Sequence, residues 1–219
     1  MNKDLILEKT KEFVKEKLYG EGSGHDWFHI ERVYNISKYL AEKENADSFI
    51  VEMTALLHDI DDWKFSNNNI TDTTNTERFL ISLGVNEEDI LKIITIIKTM
   101  SFKGGVVNSS QDTIEGKVVQ DADRLDAIGA IGIARTFAYG GSKNRVIYDP
   151  TIKPKNFASL EEVKSNDNHT INHFYEKLLK LKDRMNTKSA KEIAIARHKY
   201  MEEFLNEFYY EWSFNMEDN

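Results

Sequence analysis

The sequence predicts an all-α protein, and three observations predict it. Apolar residues recur at three- and four-residue spacing through nearly all of the 219 residues. Residues that favour helix caps stand just ahead of those runs. The two prolines, Pro150 and Pro154, share one short stretch. No alternating run bounded by turn residues reads as a strand, and the hairpin signals around Gly104–Gly105 and Gly140–Gly141 are weak.

Taken in order, Ile6, Thr10, Phe13 and Leu18 give one face of an opening helix that stops at Gly20. Asp26 is placed to cap the next, with His29, Val33, Ile36 and Leu40 on one side. Asp47 caps a third, whose stripe is Ile50, Met53, Leu57 and Ile60. A short helix from Glu77 to Leu83 ends at Gly84. Asn86 precedes an acidic first turn and the run ILKIITIIKTM, where cap and length outweigh the strand preference of isoleucine. Gly116 to Phe137 reads as one long helix rich in small residues. Ile171, Phe174, Leu178, Leu181 and Met185 mark another, and Ser189 with Glu192 forms a capping box opening the last. Between Gly140 and Phe157, Lys143, Arg145, Lys153 and Lys155 outnumber the one acid, Asp149. That basic loop, 141–157, is either a solvated connection or a lid over an anionic substrate.

The formal net charge of -8 excludes the lysine- and arginine-rich surface of a nucleic-acid binder. It still allows a local basic patch beside a cation to hold a phosphate. Absence of cysteine rules out disulfide and thiol chemistry within the chain and fits a reducing cytosol. The stretch MNKDLILEKTKEFVKEKL lacks a continuous apolar segment, and nothing approaches the roughly 20 apolar residues of a membrane span. A cytoplasmic location without membrane association is the expectation.

The chemistry concentrates in LLHDIDDWKF, residues 56–65, where His58, Asp59, Asp61 and Asp62 end an apolar helix. A helix C-terminus carries partial negative charge, so clustered carboxylates there call for something positive. His29 opens the apolar face of the preceding helix. Asp121, Asp123 and Asp126 lie in or beside a third apolar helix, with Asp123 and Asp126 on one face. Arg124 cannot neutralise three buried carboxylates, and a divalent cation between the three helices would. Two imidazoles and two carboxylates suit Mn²⁺, Fe²⁺, Ni²⁺, Co²⁺ or Zn²⁺.

In order, His29, His58–Asp59 and Asp123 match the H…HD…D signature of the HD-domain metal-dependent phosphohydrolase superfamily, which this chain resembles from about residue 20 to 210. The words HDWFHIERV (25–33), LLHDIDDWKF, DADRLDAIGAIGIARTF (121–137) and HFYEKLLKLKDRM (173–185) are similar to the bacterial branch that includes nucleotide pyrophosphohydrolases. The resemblance implies a single helical bundle over 1–219, with a core at about 20–140 and a helical C-terminal extension at about 157–212. It implies His29, His58, Asp59 and Asp123 as metal ligands, Asp123 being the Asp of the family's ADRL word. One divalent ion is implied, with Mn²⁺ favoured and Mg²⁺, Ni²⁺, Co²⁺, Fe²⁺ or Zn²⁺ open.

The implied activity is metal-dependent hydrolysis of nucleoside and deoxynucleoside triphosphates to monophosphate and pyrophosphate. Nucleoside monophosphates or guanosine tetraphosphate are alternative substrates, and a non-enzymatic HD signalling module is the alternative of another kind. Relatives with two metals typically insert further histidines between the HD pair and the last Asp. None stands between Asp59 and Asp123, which favours one metal and hydrolysis over oxygen chemistry. Asp62 is the candidate general base, with His25 as a second catalytic candidate. Arg32, Lys64, His173 and Lys177 are candidates for substrate binding, and a homodimer is left open.

Overall fold

The computed structural model of the chain describes residues 2–20, 26–61, 73–100, 109–159, 161–162 and 168–214. Its helices are α1 (Lys3–Leu18), α2 (Trp27–Glu44), α3 (Ser48–Leu57), α4 (Thr74–Ser82), α5 (Glu87–Met100), α6 (Ile114–Asp126), α7 (Gly129–Ser142), α8 (Asn172–Glu176) and α9 (Lys188–Ser213). No strand occurs among the described residues, as the helical spacing predicts.

Local chemistry starts and stops these helices. Asp26 accepts from the His29 backbone N–H at 2.9 Å and so caps α2 at its first turn. Asp47 accepts from Phe49 and Ile50 to cap α3, and Asn86 accepts from Asp89 at 2.9 Å ahead of α5. Gly20 and Gly84 follow α1 and α4 with φ of 82° and 70°, conformations that a side chain would oppose.

Helix α2 packs most extensively against α6 and α3 and forms the centre of the molecule. One side of it, through Ile30 and Tyr34, joins a core shared with α1, α3, α4 and α5. Val33, Leu40 and Ala41 join a second core, built with α6, α8 and α9. His29, fully buried, sits between the two.

Three expectations are corrected. The stretch expected as one helix from Gly116 to Phe137 is two, α6 and α7, broken at Ala127–Ile128. Gly129 takes φ +78° at the break, and a Cβ there would meet Arg197 Cγ at 3.0 Å. Ile171 to Met185 is not a continuous helix: α8 gives way to 3-10 turns at Leu178–Lys180 and Lys182–Arg184. The spacing of Leu178 and Leu181 fits three residues per turn as well as an α-helix, so periodicity could not separate them. Helix α9 is capped by Thr187, not by a Ser189–Glu192 box. Buried Asp121 accepts from the Asn186 and Thr187 backbone N–H groups and fixes the cap two residues earlier, while Ser189 donates to Glu44.

The basic loop after α7 is stapled to the body. Thr170 N donates to Val146 O at 3.0 Å, and Ile171 N to Ile147 O at 3.1 Å. The Tyr148 ring packs edge-on among His169, Phe208, Tyr209 and Trp212.

Substituting Gly129→Ala is expected to destabilise the protein by roughly 1 to 2 kcal/mol, the cost of a left-handed residue carrying a Cβ. Urea denaturation checks this; an unchanged midpoint would show that the α6–α7 break does not depend on Gly129.

Candidate metal centre

Three helices deliver the donors. The Asp26 cap starts α2 so that His29 falls on its buried face. His58 ends α3, and Asp59 follows in the turn, both buried. Asp123 lies in the last turn of α6 and is partly exposed. His29, His58 and Asp59 each present one ligand atom within 4.8 Å of the others. Asp123 Oδ1 stands 3.6 Å from His29 Nε2. The four ligands implied by the sequence resemblance therefore come together.

The hydrogen bonds at the back of each imidazole decide what the front can do. His58 Nδ1 donates to the Ala55 carbonyl at 2.8 Å, because a carbonyl can only accept. In the neutral ring the lone pair is then on Nε2, which is buried, has no hydrogen-bond partner, and lies 3.5 Å from Asp59 Oδ2. His29 Nδ1 faces Asp126 Oδ2 at 2.8 Å. Its Nε2 points toward Asp59 Oδ2 at 3.4 Å and Asp123 Oδ1 at 3.6 Å. Two nitrogen lone pairs and two carboxylates thus face one spot, an arrangement of acceptors that only a proton or a cation satisfies. Burial works against a charged His29, yet Asp126 and Asp59 overcome it and push the imidazole pKa up to about 9. A mixed nitrogen–oxygen set of this kind fits a divalent metal ion.

Asp126, one turn beyond Asp123, was missed as a functional residue. Besides His29 it receives Arg32 Nε at 2.6 Å, Arg32 Nη2 at 3.0 Å and Arg135 Nη1 at 2.6 Å. Burial opposes its ionisation, but His29 and Arg32 hold its carboxyl well below the usual range. Arg32, expected at the substrate, directs two of its donors at Asp126. The i, i+3 spacing of Asp123 and Asp126 was the available signal; nothing in the sequence pointed to Arg135.

The other acids of the HD segment and of α6 have different partners. Asp61 accepts from Asn75 Nδ2, Thr76 N and Thr76 Oγ1, each at 2.8 Å, and so ties the HD turn to the start of α4. Asp121 is taken up by Asn186 and Thr187, and Arg124 donates to the Arg184 carbonyl. His169 Nε2 donates to Ile152 O at 3.1 Å while its Nδ1 accepts from Asn172 N, an anchor for the basic loop. His198 pairs with Glu202 at 3.3 Å. His25, Asp62 and Lys64 lie outside the described residues.

His173 and Lys177 belong to another neighbourhood. Burial, with Lys177 and Arg145 nearby, pushes the His173 imidazole down to about 3. Arg145 N bonds to Gly140 O near the far end of α7, about 17 Å along the helix from Gly129 at 1.5 Å per residue.

This bundle and its two-imidazole, two-carboxylate pocket define a metal-dependent phosphohydrolase. Residues 27–128 match the HD domain family model, and the chain belongs to the HD superfamily. The YpgQ protein of Bacillus subtilis (strain 168) is 40% identical over 201 residues, covering 91% of this chain and 90% of YpgQ. A crystal structure of YpgQ in complex with ADP aligns with a TM-score of 0.73, covering 92% of this chain and 95% of that one. An HD-superfamily hydrolase from Bacillus thuringiensis is 48% identical with a TM-score of 0.76, over 97% of this chain and 99% of the other. A Lactobacillus plantarum structure is 37% identical with a TM-score of 0.87, over 98% and 100%.

Replacing His58→Ala is expected to abolish stoichiometric binding of Mn²⁺, measured by metal analysis after gel filtration; retention of one ion per chain would overturn the ligand set. His173 yields a pH prediction. The unfolded chain takes up its proton near pH 6.5, the folded one only near pH 3. Its contribution to stability is complete above pH 6.5 and declines as pH falls through that window. Urea midpoints of His173→Gln should therefore fall less steeply than those of wild type between pH 6.5 and 5.

Proposed function

We propose that this chain hydrolyses nucleoside and deoxynucleoside triphosphates, releasing the monophosphate and pyrophosphate, with one divalent ion, Mn²⁺ for preference. The observation that carries the nucleotide reading is the ADP complex of YpgQ, a 40% identical relative that this chain matches over nearly its whole length. Bound between His29, His58, Asp59 and Asp123, the ion supplies Lewis-acid polarisation of a phosphoryl oxygen and a more acidic water.

The chain's own residues have divided roles in this reading. Partly exposed Asp123 borders the open side of the pocket, where a phosphate enters. Asp62, three residues beyond Asp59, takes the proton of the attacking water as general base, and His25 assists from just ahead of α2. Lys64 offsets phosphate charge. Arg32 retains a substrate role through the donors that its fork on Asp126 leaves over, since a guanidinium carries five N–H groups. His173 stays neutral at physiological pH, so it contributes a hydrogen bond, and Lys177 beside it contributes the charge. In this reading the pair reaches the phosphate or sugar of the nucleotide. Net charge of -8 fits a small anion held locally and not a nucleic-acid partner. No described helix is long and apolar enough to cross a membrane.

Ion-chromatographic product analysis of the Mn²⁺-loaded protein across the triphosphates tests the proposal. Wild type is expected to yield equimolar monophosphate and pyrophosphate, and Asp59→Ala neither. Full metal loading without turnover of any triphosphate would overturn the substrate class and direct attention to nucleoside monophosphates or guanosine tetraphosphate.

A further inference from the structure

We infer that Asp126, clamped between Arg32 and Arg135, is a positioning residue for the metal centre: it sets the tautomer and ring angle of His29 so that Nε2 faces the ion. The inference rests on the four-ligand metal centre and is independent of which nucleotide the site takes.

The geometry is specific. Asp123 and Asp126 lie one turn apart on α6 and approach opposite nitrogens of one imidazole, Asp123 at Nε2 and Asp126 at Nδ1. A carboxylate on Nδ1 makes that nitrogen the donor and leaves the Nε2 lone pair for a cation. A carboxylate free to rotate would let the ring turn with it. Arg32 prevents this with a two-bonded fork from α2, and Arg135 adds a third bond from α7. The pair also balances charge, since Asp126 is almost fully buried while both arginines reach the surface. A lysine offers no such planar fork.

The break between α6 and α7 makes the clamp possible. Arg135 is nine residues beyond Asp126. In an unbroken helix, at about 100° per residue, it would lie about 180° around the axis and about 13 Å further along, out of reach. Turning the chain at Ala127–Ile128, with Gly129 at φ +78°, brings Arg135 back over the end of α6. Arg197 of α9 covers the same turn, donating to Leu125 O at 2.5 Å.

The test measures Mn²⁺ binding by the full chain and the visible spectrum of the Co²⁺-loaded protein, alongside urea midpoints without metal. Asp126→Asn is expected to bind one Mn²⁺ about 10- to 100-fold more weakly than wild type, with a shifted Co²⁺ spectrum. If Asp126→Asn does not fold, Arg135→Met takes its place, keeping the Arg32 fork and losing several-fold in affinity. A lower metal-free midpoint with wild-type Mn²⁺ affinity and an unchanged spectrum would mean a merely structural carboxylate and overturn the inference. Absence of Mn²⁺ binding by wild type would overturn it together with the metal centre. Loss of triphosphate turnover by a wild type that binds Mn²⁺ would touch the proposed substrate alone.

Discussion

The structure depends on one constraint: two imidazole lone pairs and two carboxylates are held facing each other inside a low-dielectric bundle. Each arrangement behind them is fixed by an ordinary hydrogen bond, His58 Nδ1 to the Ala55 carbonyl and His29 Nδ1 to Asp126. Those bonds leave no neutral tautomer able to donate at the front of either ring. Uncompensated acceptors of this kind are costly when buried, so the site is stable in proportion to the positive charge it holds. The helices serve that end. Helix α2 carries His29, α3 delivers His58–Asp59, and α6 brings Asp123 and Asp126, and α2 packs most extensively against the other two.

The acids around the site show how partner chemistry separates roles that composition cannot. Asp61 and Asp121 each meet several N–H and O–H donors and tie down the start of a distant helix. Asp126 meets two guanidinium groups and an imidazole N–H. Asp59 and Asp123 approach Nε2 of His29, at 3.4 and 3.6 Å, on the side away from Asp126.

Much of this was legible in the sequence, and the failures have physical causes. Asp26, Asp47 and Asn86 mark their helices because a cap is a local interaction, readable from a few neighbours. The proximity of His29, His58, Asp59 and Asp123 was legible because the ordered signature of a family records a three-dimensional arrangement in a linear order. The α6–α7 break was hidden, since Gly129 sits among small residues that suit close packing equally well, and only the left-handed φ and the bulk of Arg197 distinguish the two. With the break unseen, Arg135 falls on the wrong side of a continuous helix and cannot be paired with Asp126. The Thr187 cap was missed because the carboxylate that fixes it, Asp121, is far away in sequence. Asp61 was read as part of a cluster of charge awaiting a cation because its donors, Asn75 and Thr76, belong to the next helix.

Two histidines, His29 fully buried and His173 half-buried, sit in opposite electrostatic surroundings. Burial alone disfavours the charged form of both His29 and His173. Carboxylates reverse the effect at His29, pushing it up to about 9, while Lys177 and Arg145 reinforce it at His173, which falls to about 3. The same side chain thus meets carboxylates in one place and cationic side chains in the other. In a chain of net charge -8, Lys177 and Arg145 make the surroundings of His173 locally positive, whereas Asp59, Asp123 and Asp126 make those of His29 negative. Tyr148 and the Val146–Thr170 bond hold the basic loop against the start of α8 and against α9, so the segment that carries Arg145 is fixed by contacts within the fold.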